Sequence, residues 1–154
     1  MGQMYISQIS IASKLDAIED LWEAFPATQN PICIHSIRLG QITLEADANA
    51  GMAHVRLRRD TATGTATTLA ANPLLPGTEL ADTTVKHSHT VDAAGTETQL
   101  VEDSWNVQAG WLYLPTPEER PWFTSAAGLV ISNDEVVAAA TITITVVFEE
   151  FKMV

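Results

Sequence analysis

Apolar and polar residues alternate over most of this chain, and the alternation predicts β structure. The clearest case is Ala139 to Phe148. Ile142, Ile144, Val146 and Phe148 fall on one face, and Thr141, Thr143 and Thr145 on the other. β-Branched side chains suit such a pleated surface. Burying the four apolar residues contributes about 6–12 kcal/mol gross, an upper value because an unfolded chain already buries some surface. The same reading predicts strands at Met4 to Ala12, Ile32 to Leu39, Met52 to Arg58, Thr83 to Thr90, Thr98 to Asn106, Trp111 to Leu114 and Leu129 to Ser132. Turn-forming clusters separate them: Asn49 to Gly51, Asp60 to Gly64, Asn72 to Gly77, Asp92 to Gly95, Ala109-Gly110 and Ser132 to Asp134. About eight short strands with regular turns predict an all-β fold, a single-domain β-sandwich or jelly roll over residues 1–154.

Two segments depart from this pattern. Leu15, Ile18, Leu21, Trp22 and Phe25 have helical spacing, and Ser13 with Asp16 resembles a capping box. That spacing favours a short helix near the N-terminus over an irregular strand ending at Pro26. Thr61 to Gly77 is rich in Thr, Ala, Gly and Pro and carries few large apolar residues, which predicts a long surface loop or arm.

Composition narrows the function. The 154 residues hold 19 acids against 8 Lys plus Arg, a formal net charge of −11. Nucleic-acid binding requires a basic stripe that releases counterions. Here Arg56, Arg58 and Arg59 form one small cluster and the other bases are scattered, so no nucleic-acid partner is expected. Arg56 and Arg58 share a strand face, read as a solvated face pairing with nearby acids. No apolar run reaches the ~18 residues of a membrane span, and Met1-Gly2-Gln3-Met4 lacks the features of a signal peptide. The single Cys33 excludes an internal disulfide and fits a reducing cytoplasm.

Candidate chemistry is sparse. His87 and His89, two apart on a strand, are expected to project from one face, where they could supply two ligands to Zn²⁺; no further motif fixes a third, and the plainer reading is two exposed imidazoles. The acidic pairs Glu118-Glu119, Glu149-Glu150 and Asp134-Glu135 are sequence neighbours. They point to opposite strand faces, unlike the carboxylates ~5–10 Å apart that flank a glycosidic bond, and read as solvated charge. No nucleophile elbow, phosphate loop or dinucleotide fingerprint occurs. Cys33 between Ile32 and Ile34 reads as a buried, inert thiol. No enzyme and no cofactor are expected.

The aromatics are concentrated in one stretch: Trp105, Trp111, Tyr113, Trp122 and Phe123. Trp111 and Tyr113 share a strand face, where they either fill the core or form an interface or sugar platform. Between them and Trp122 runs Pro115-Thr116-Pro117-Glu118-Glu119-Arg120-Pro121, a stiff crossing that loses little entropy on docking. Trp111, Tyr113, Pro115, Pro117, Glu118, Glu119, Arg120 and Trp122 are therefore the expected contact residues.

The run from Asn106 to Arg120, Asn-Val-Gln-Ala-Gly-Trp-Leu-Tyr-Leu-Pro-Thr-Pro-Glu-Glu-Arg, resembles a motif in a family of small β-rich virion structural proteins of tailed bacteriophages and prophages. Arg38-Leu39-Gly40-Gln41 and the terminal Val147-Phe148-Glu149-Glu150 are similar to that family too, and matching segments spread from about Glu19 to Glu150. The resemblance implies a capsid decoration (cement) protein. It implies binding to the major capsid protein on the outer surface of the virion after assembly in the bacterial cytoplasm. It carries no catalytic residue, and it implies a strand at Glu19 to Pro26. Decoration proteins commonly occupy three-fold positions, which suggests a homotrimer. The alternatives are a head–tail connector, tail or fibre-associated protein, a carbohydrate-binding module using Trp111, Tyr113 or Trp122, and a metal-dependent enzyme using His87 and His89.

Overall fold

The computed structural model describes residues 2–14, 18–42, 52–135 and 140–152. These residues form twelve strands: β1 (Gln3–Lys14), β2 (Glu19–Phe25), β3 (Ile32–Gln41), β4 (Met52–Asp60), β5 (Thr65–Leu69), β6 (Asn72–Pro73), β7 (Thr84–Val91), β8 (Glu97–Asn106), β9 (Trp111–Tyr113), β10 (Trp122–Phe123), β11 (Gly128–Asn133) and β12 (Ala140–Glu150). All pairings are antiparallel. One sheet has the order β10-β3-β12-β1-β6, with β9 also paired to β3; the other runs β5-β7-β2-β11-β4-β8. The all-β architecture expected from alternation is what the chain adopts, and two six-stranded sheets facing one another make a β-sandwich.

The core follows from strand register. Phe148, Val146, Ile144 and Ile142 of β12 stand opposite Tyr5, Ser7, Ile9 and Ile11 of β1, and opposite Ile34, Ile37, Leu39 and Gln41 of β3. Phe148 and Tyr5 stack with ring centroids 5.7 Å apart. The second sheet contributes Trp22, Ala24, Val55, Leu57, Val85, Leu129 and Ile131 to the same cluster. A cross-sheet hydrogen bond joins the layers: Trp22 Nε1 donates to Ser7 Oγ at 3.1 Å. The opposite face of β12 (Thr141, Thr143, Thr145) is half-buried.

All eight expected strands are present, and four more accompany them. The segment favoured as a helix is strand β2 from Glu19 onward, as the phage resemblance implied; Leu15 and Asp16 lie outside the described residues, as do Asn49 to Gly51 and Ala139. The helical spacing misleads because β2 is buried on both faces from Asp20 to Ala24. A bulge places Leu21 beside Trp22, since Ile131 pairs with Trp22 and the next residue, Ser132, pairs with Asp20. The segment read as a loop, Thr61 to Gly77, holds β5 and β6. Both are edge strands with little buried surface, so neither shows an alternation in its sequence.

Candidate functional site

One open side of the sandwich brings together β8 of one sheet and β9 and β10 of the other. The chain passes from β8 to β9 through a turn in which Asn106 O accepts from Ala109 N (3.0 Å) and Gly110 N (3.1 Å). Asn106 Oδ1 also accepts from Gln108 N (2.9 Å). Gly110 has φ +76°, and a Cβ there would stand 2.9 Å from Leu39 O, so only glycine fits the turn without strain. Trp111 and Tyr113 then pair with Leu39 and Ile37, whose side chains face the core. Their rings stack 6.0 Å apart at 8°. Trp111 Nε1 donates to Asp103 Oδ2 of β8 at 2.9 Å, bridging the two sheets at their rim. Both aromatics are thus half-buried rim closures. Trp105, by contrast, is part of the core.

Because Trp111 and Tyr113 turn inward, Leu112 and Leu114 turn outward, 56% and 68% exposed. Sequence reasoning fixed on the aromatics and passed over these leucines; strict alternation within Trp-Leu-Tyr-Leu was the signal that exposes one pair when the other is buried. Pro115 is buried and anchors the chain. A 3₁₀ turn, Pro117–Glu119, follows, held by Glu119 N donating to Thr116 O (2.9 Å) and Thr116 Oγ1 donating to Glu119 Oε2 (3.0 Å). Pro117, Glu118 and Glu119 are exposed, and Arg120 and Pro121 are half-buried. Beyond them Pro121 O accepts from Ile34 N (3.1 Å), Trp122 O accepts from Arg59 Nη2 (2.9 Å), and Phe123 is buried beneath the Arg59 guanidinium, 5.3 Å from the ring centroid. Trp122 remains 49% exposed, its ring 4.8 Å from that of Phe151. A groove of about 420 Å³ lies along this segment, lined by Val101, Asp103, Trp111, Leu112, Tyr113, Leu114, Pro115 and Glu119. Burial, with the Glu119 charge adding to it, raises the Tyr113 phenol above its ordinary value. The expected contact residues therefore lie along one rim, with Trp111, Tyr113 and Pro115 as its supports and the leucines, the acidic turn and Trp122 as its surface.

The histidine pair does not form a shared site. Ser88 has φ +55°, which breaks the alternation of β7. His87 stands opposite Trp22, whereas His89 joins Lys86 on the Glu23 side, with Nε2 3.2 Å from Glu23 Oε2. His89 is buried, so two imidazoles exposed on one face is corrected to one half-buried and one enclosed, on different faces. Among the described residues, no group of three or more His, Cys, Asp or Glu is placed to hold a metal ion. Cys33 is buried, and burial raises its thiol pKa despite the nearby Arg120, which fits an inert thiol. Glu118 and Glu119 are solvated as expected. Glu150 is not: it is fully buried and accepts from Asp82 N (3.1 Å), Thr83 N (2.8 Å) and Thr83 Oγ1 (2.6 Å).

Arg56 and Arg58 do pair with acids, but the face is not solvated. Arg58 is 4% exposed and contacts Asp20 (2.7 Å), Glu97 (3.1 Å) and Asp60 (3.6 Å). The loops after β4 and β7 fold over it: Ala93 N donates to Asp20, and Gly95 N and Ala62 N to Asp60. Burial lowers the Arg58 guanidinium pKa, and Asp20, Glu97 and Asp60 outweigh it, so the net direction is up. Glu23 is fully buried nearby. It accepts from Thr63 Oγ1 and from Gly64 N (3.0 Å), and Lys86 Nζ lies 3.2 Å away. Gly64 permits this approach, since a Cβ there would stand 2.5 Å from Val91 O.

Burial alone raises the Glu23 carboxyl, but the His89 imidazole 3.2 Å away and the hydrogen bonds from Thr63 and Gly64 outweigh it and hold the pKa at about 2. A carboxyl depressed on folding contributes stability above its unfolded value and loses it as pH falls toward its folded value. Asp20 acts oppositely, because burial raises it despite Ala93 N and Arg58. Comparison with Glu23→Gln cancels Asp20, which both proteins share. The stability difference between the parent and this variant is followed from about pH 4.5 downward, where the unfolded carboxyl takes up its proton. It should shift by about 3 kcal/mol against the parent as pH falls toward about 2, measured by urea unfolding across that range.

No protein-family model, curated protein or solved structure matches this chain. No helix among the described residues is long and apolar enough to cross a membrane.

Proposed function

We propose that this chain is a non-enzymatic structural subunit of a tailed-phage virion, a decoration protein that docks on the major capsid protein at the outer surface of the shell. The observation that carries the docking is the pair of exposed leucines, Leu112 and Leu114, with Trp122, on a segment held by the pairing of β9 with β3 at one end, by buried Phe123 at the other and by buried Pro115 between them. Large apolar side chains held rigidly in water, rimmed by Glu118 and Glu119, have the make-up of an interface centre with a polar rim. A pinned segment loses little entropy on binding. The phage assignment itself rests on the resemblance of the Asn106–Arg120 motif, and the net charge of −11 suits the outside of a DNA container better than its lining. Binding to the assembled shell would stabilise it by mass action.

Leu112→Asp with Leu114→Asp is expected to weaken particle binding by at least about tenfold. The unfolding free energy should change by less than about 0.5 kcal/mol, because neither leucine is in the core. Co-sedimentation with particles and urea unfolding measure the two. Copy number separates the alternatives: a decoration protein is present at a level comparable with the capsid protein by gel densitometry, and a connector or tail component in few copies.

A further inference from the structure

We infer that this chain associates with a second copy of itself through β5, two identical edges meeting antiparallel about a two-fold axis. The inference is independent of the capsid reading and starts from the strand edges. An edge strand presents unpaired N–H and C=O groups that pair with any suitable strand unless charge, proline or brevity prevents it. Four of the five terminal strands of the two sheets, among the described residues, are guarded, and the side of β1 that β6 leaves uncovered beyond Ile6 runs to a charge, Lys14. β6 is two residues long and contains Pro73; β9 is three residues long and runs into Pro115; β10 is two residues long and follows Pro121. β8 is long, but it carries Glu97, Glu102 and Asp103.

β5 has no guard. Its five residues, Thr-Ala-Thr-Thr-Leu, include no charge and no proline and are rich in β-branched side chains, and its strand partner is β7 alone. Thr65, Thr67 and Thr68 are exposed. No ionisable residue occurs between Asp60 and Glu79, the stretch that holds β5 and β6. Beyond β6 the same stretch exposes Leu74 and Leu75, which with Met4 line an apolar groove of about 540 Å³.

Charge selects the edge by which two copies can meet. Each copy carries −11, so two copies approach at least cost where neither presents an acid. The β8 edges would oppose three carboxylates each, and the β5 edges oppose none. Antiparallel pairing of one edge with itself is also self-complementary, so it closes as a dimer and needs no second matching surface. This places a two-fold contact where the phage resemblance suggested a three-fold one.

The test uses the full chain at about 1–100 µM in sedimentation velocity. A monomer–dimer equilibrium is expected. Thr67→Lys, which sets two ammonium groups against each other at the axis, should raise the dissociation constant at least about tenfold. Gln99→Lys on the exposed β8 edge should leave it within about twofold. Hydrogen exchange of the unaltered chain supplies a readout that depends on no variant: amides of residues 65–69 should exchange more slowly at high than at low concentration. A monomer throughout, a trimer, a dimer equally tight with Thr67→Lys, or concentration-independent exchange in β5 would overturn the proposal.

Discussion

Replacing Arg58 by alanine is expected to lower the unfolding free energy by about 3–5 kcal/mol, the cost of leaving buried partners without their counter-charge. Arg58 is enclosed with Asp20 and Asp60, which are 2% and 1% exposed, and it is the cation that pairs with both acids. Their other partners are the backbone N–H groups of Ala93, Gly95 and Ala62, which satisfy lone pairs but carry no formal charge. Arg56, two residues earlier on the same face, is the internal control. It is half-buried and pairs with Asp134 (2.9 Å) and Glu97 (3.5 Å) nearer solvent, so Arg56→Ala should cost about 1 kcal/mol or less. Urea denaturation of the two variants at neutral pH measures the contrast through the transition midpoint, provided the slope is unchanged. Equal costs would mean that the loops covering Arg58 admit water.

Trp22→Ala is the second large effect, also about 3–5 kcal/mol. Trp22 is fully buried between the sheets, and its removal leaves a cavity among Ile131, His87 and the facing sheet. It also takes away the donor to Ser7 Oγ, a hydroxyl enclosed on the core side of β1. Trp22→Phe keeps most of the volume and loses only that hydrogen bond, so its cost should be nearer 1–2 kcal/mol, about the worth of one buried hydrogen bond plus a small repacking term. Thermal unfolding should place the alanine variant roughly 10 °C below the parent.

Trp22 also shows where sequence reading stops. β12 was legible because one face is buried and the other half-open, so Ile142 to Phe148 and Thr141 to Thr145 separate by period two. β2 was not, because both of its faces are enclosed: Trp22 and Ala24 by the opposite sheet, Asp20 and Glu23 by the loops that fold back over the outer face. A strand without a solvent face has no alternation to display. The same folding back hid the burial of Glu23 and Arg58, since the N–H and hydroxyl groups that satisfy Glu23 come from residues about forty positions away. Glu150 was missed for a related reason. It continues the inward register of Phe148 at the end of β12, and its partners Asp82 and Thr83 are far off in sequence. The rim was more legible. Three prolines in seven residues marked an extended crossing; the segment instead holds a 3₁₀ turn at Pro117–Glu119, exposed there, with Pro115 buried and Arg120 and Pro121 half-buried. Which member of each aromatic–leucine pair faces water depends on pairing with Ile37 and Leu39, which no local pattern encodes.

The central claim, docking through the Leu112–Trp122 rim on the outside of a capsid, is tested most directly by cryo-electron microscopy of the particles with and without this protein, before and after heating. The account predicts many copies on the outer shell with Leu112, Leu114 and Trp122 against the capsid protein, and particles that survive heating better when the protein is present. A shell carrying no copies, and equally stable with or without the protein, would contradict it.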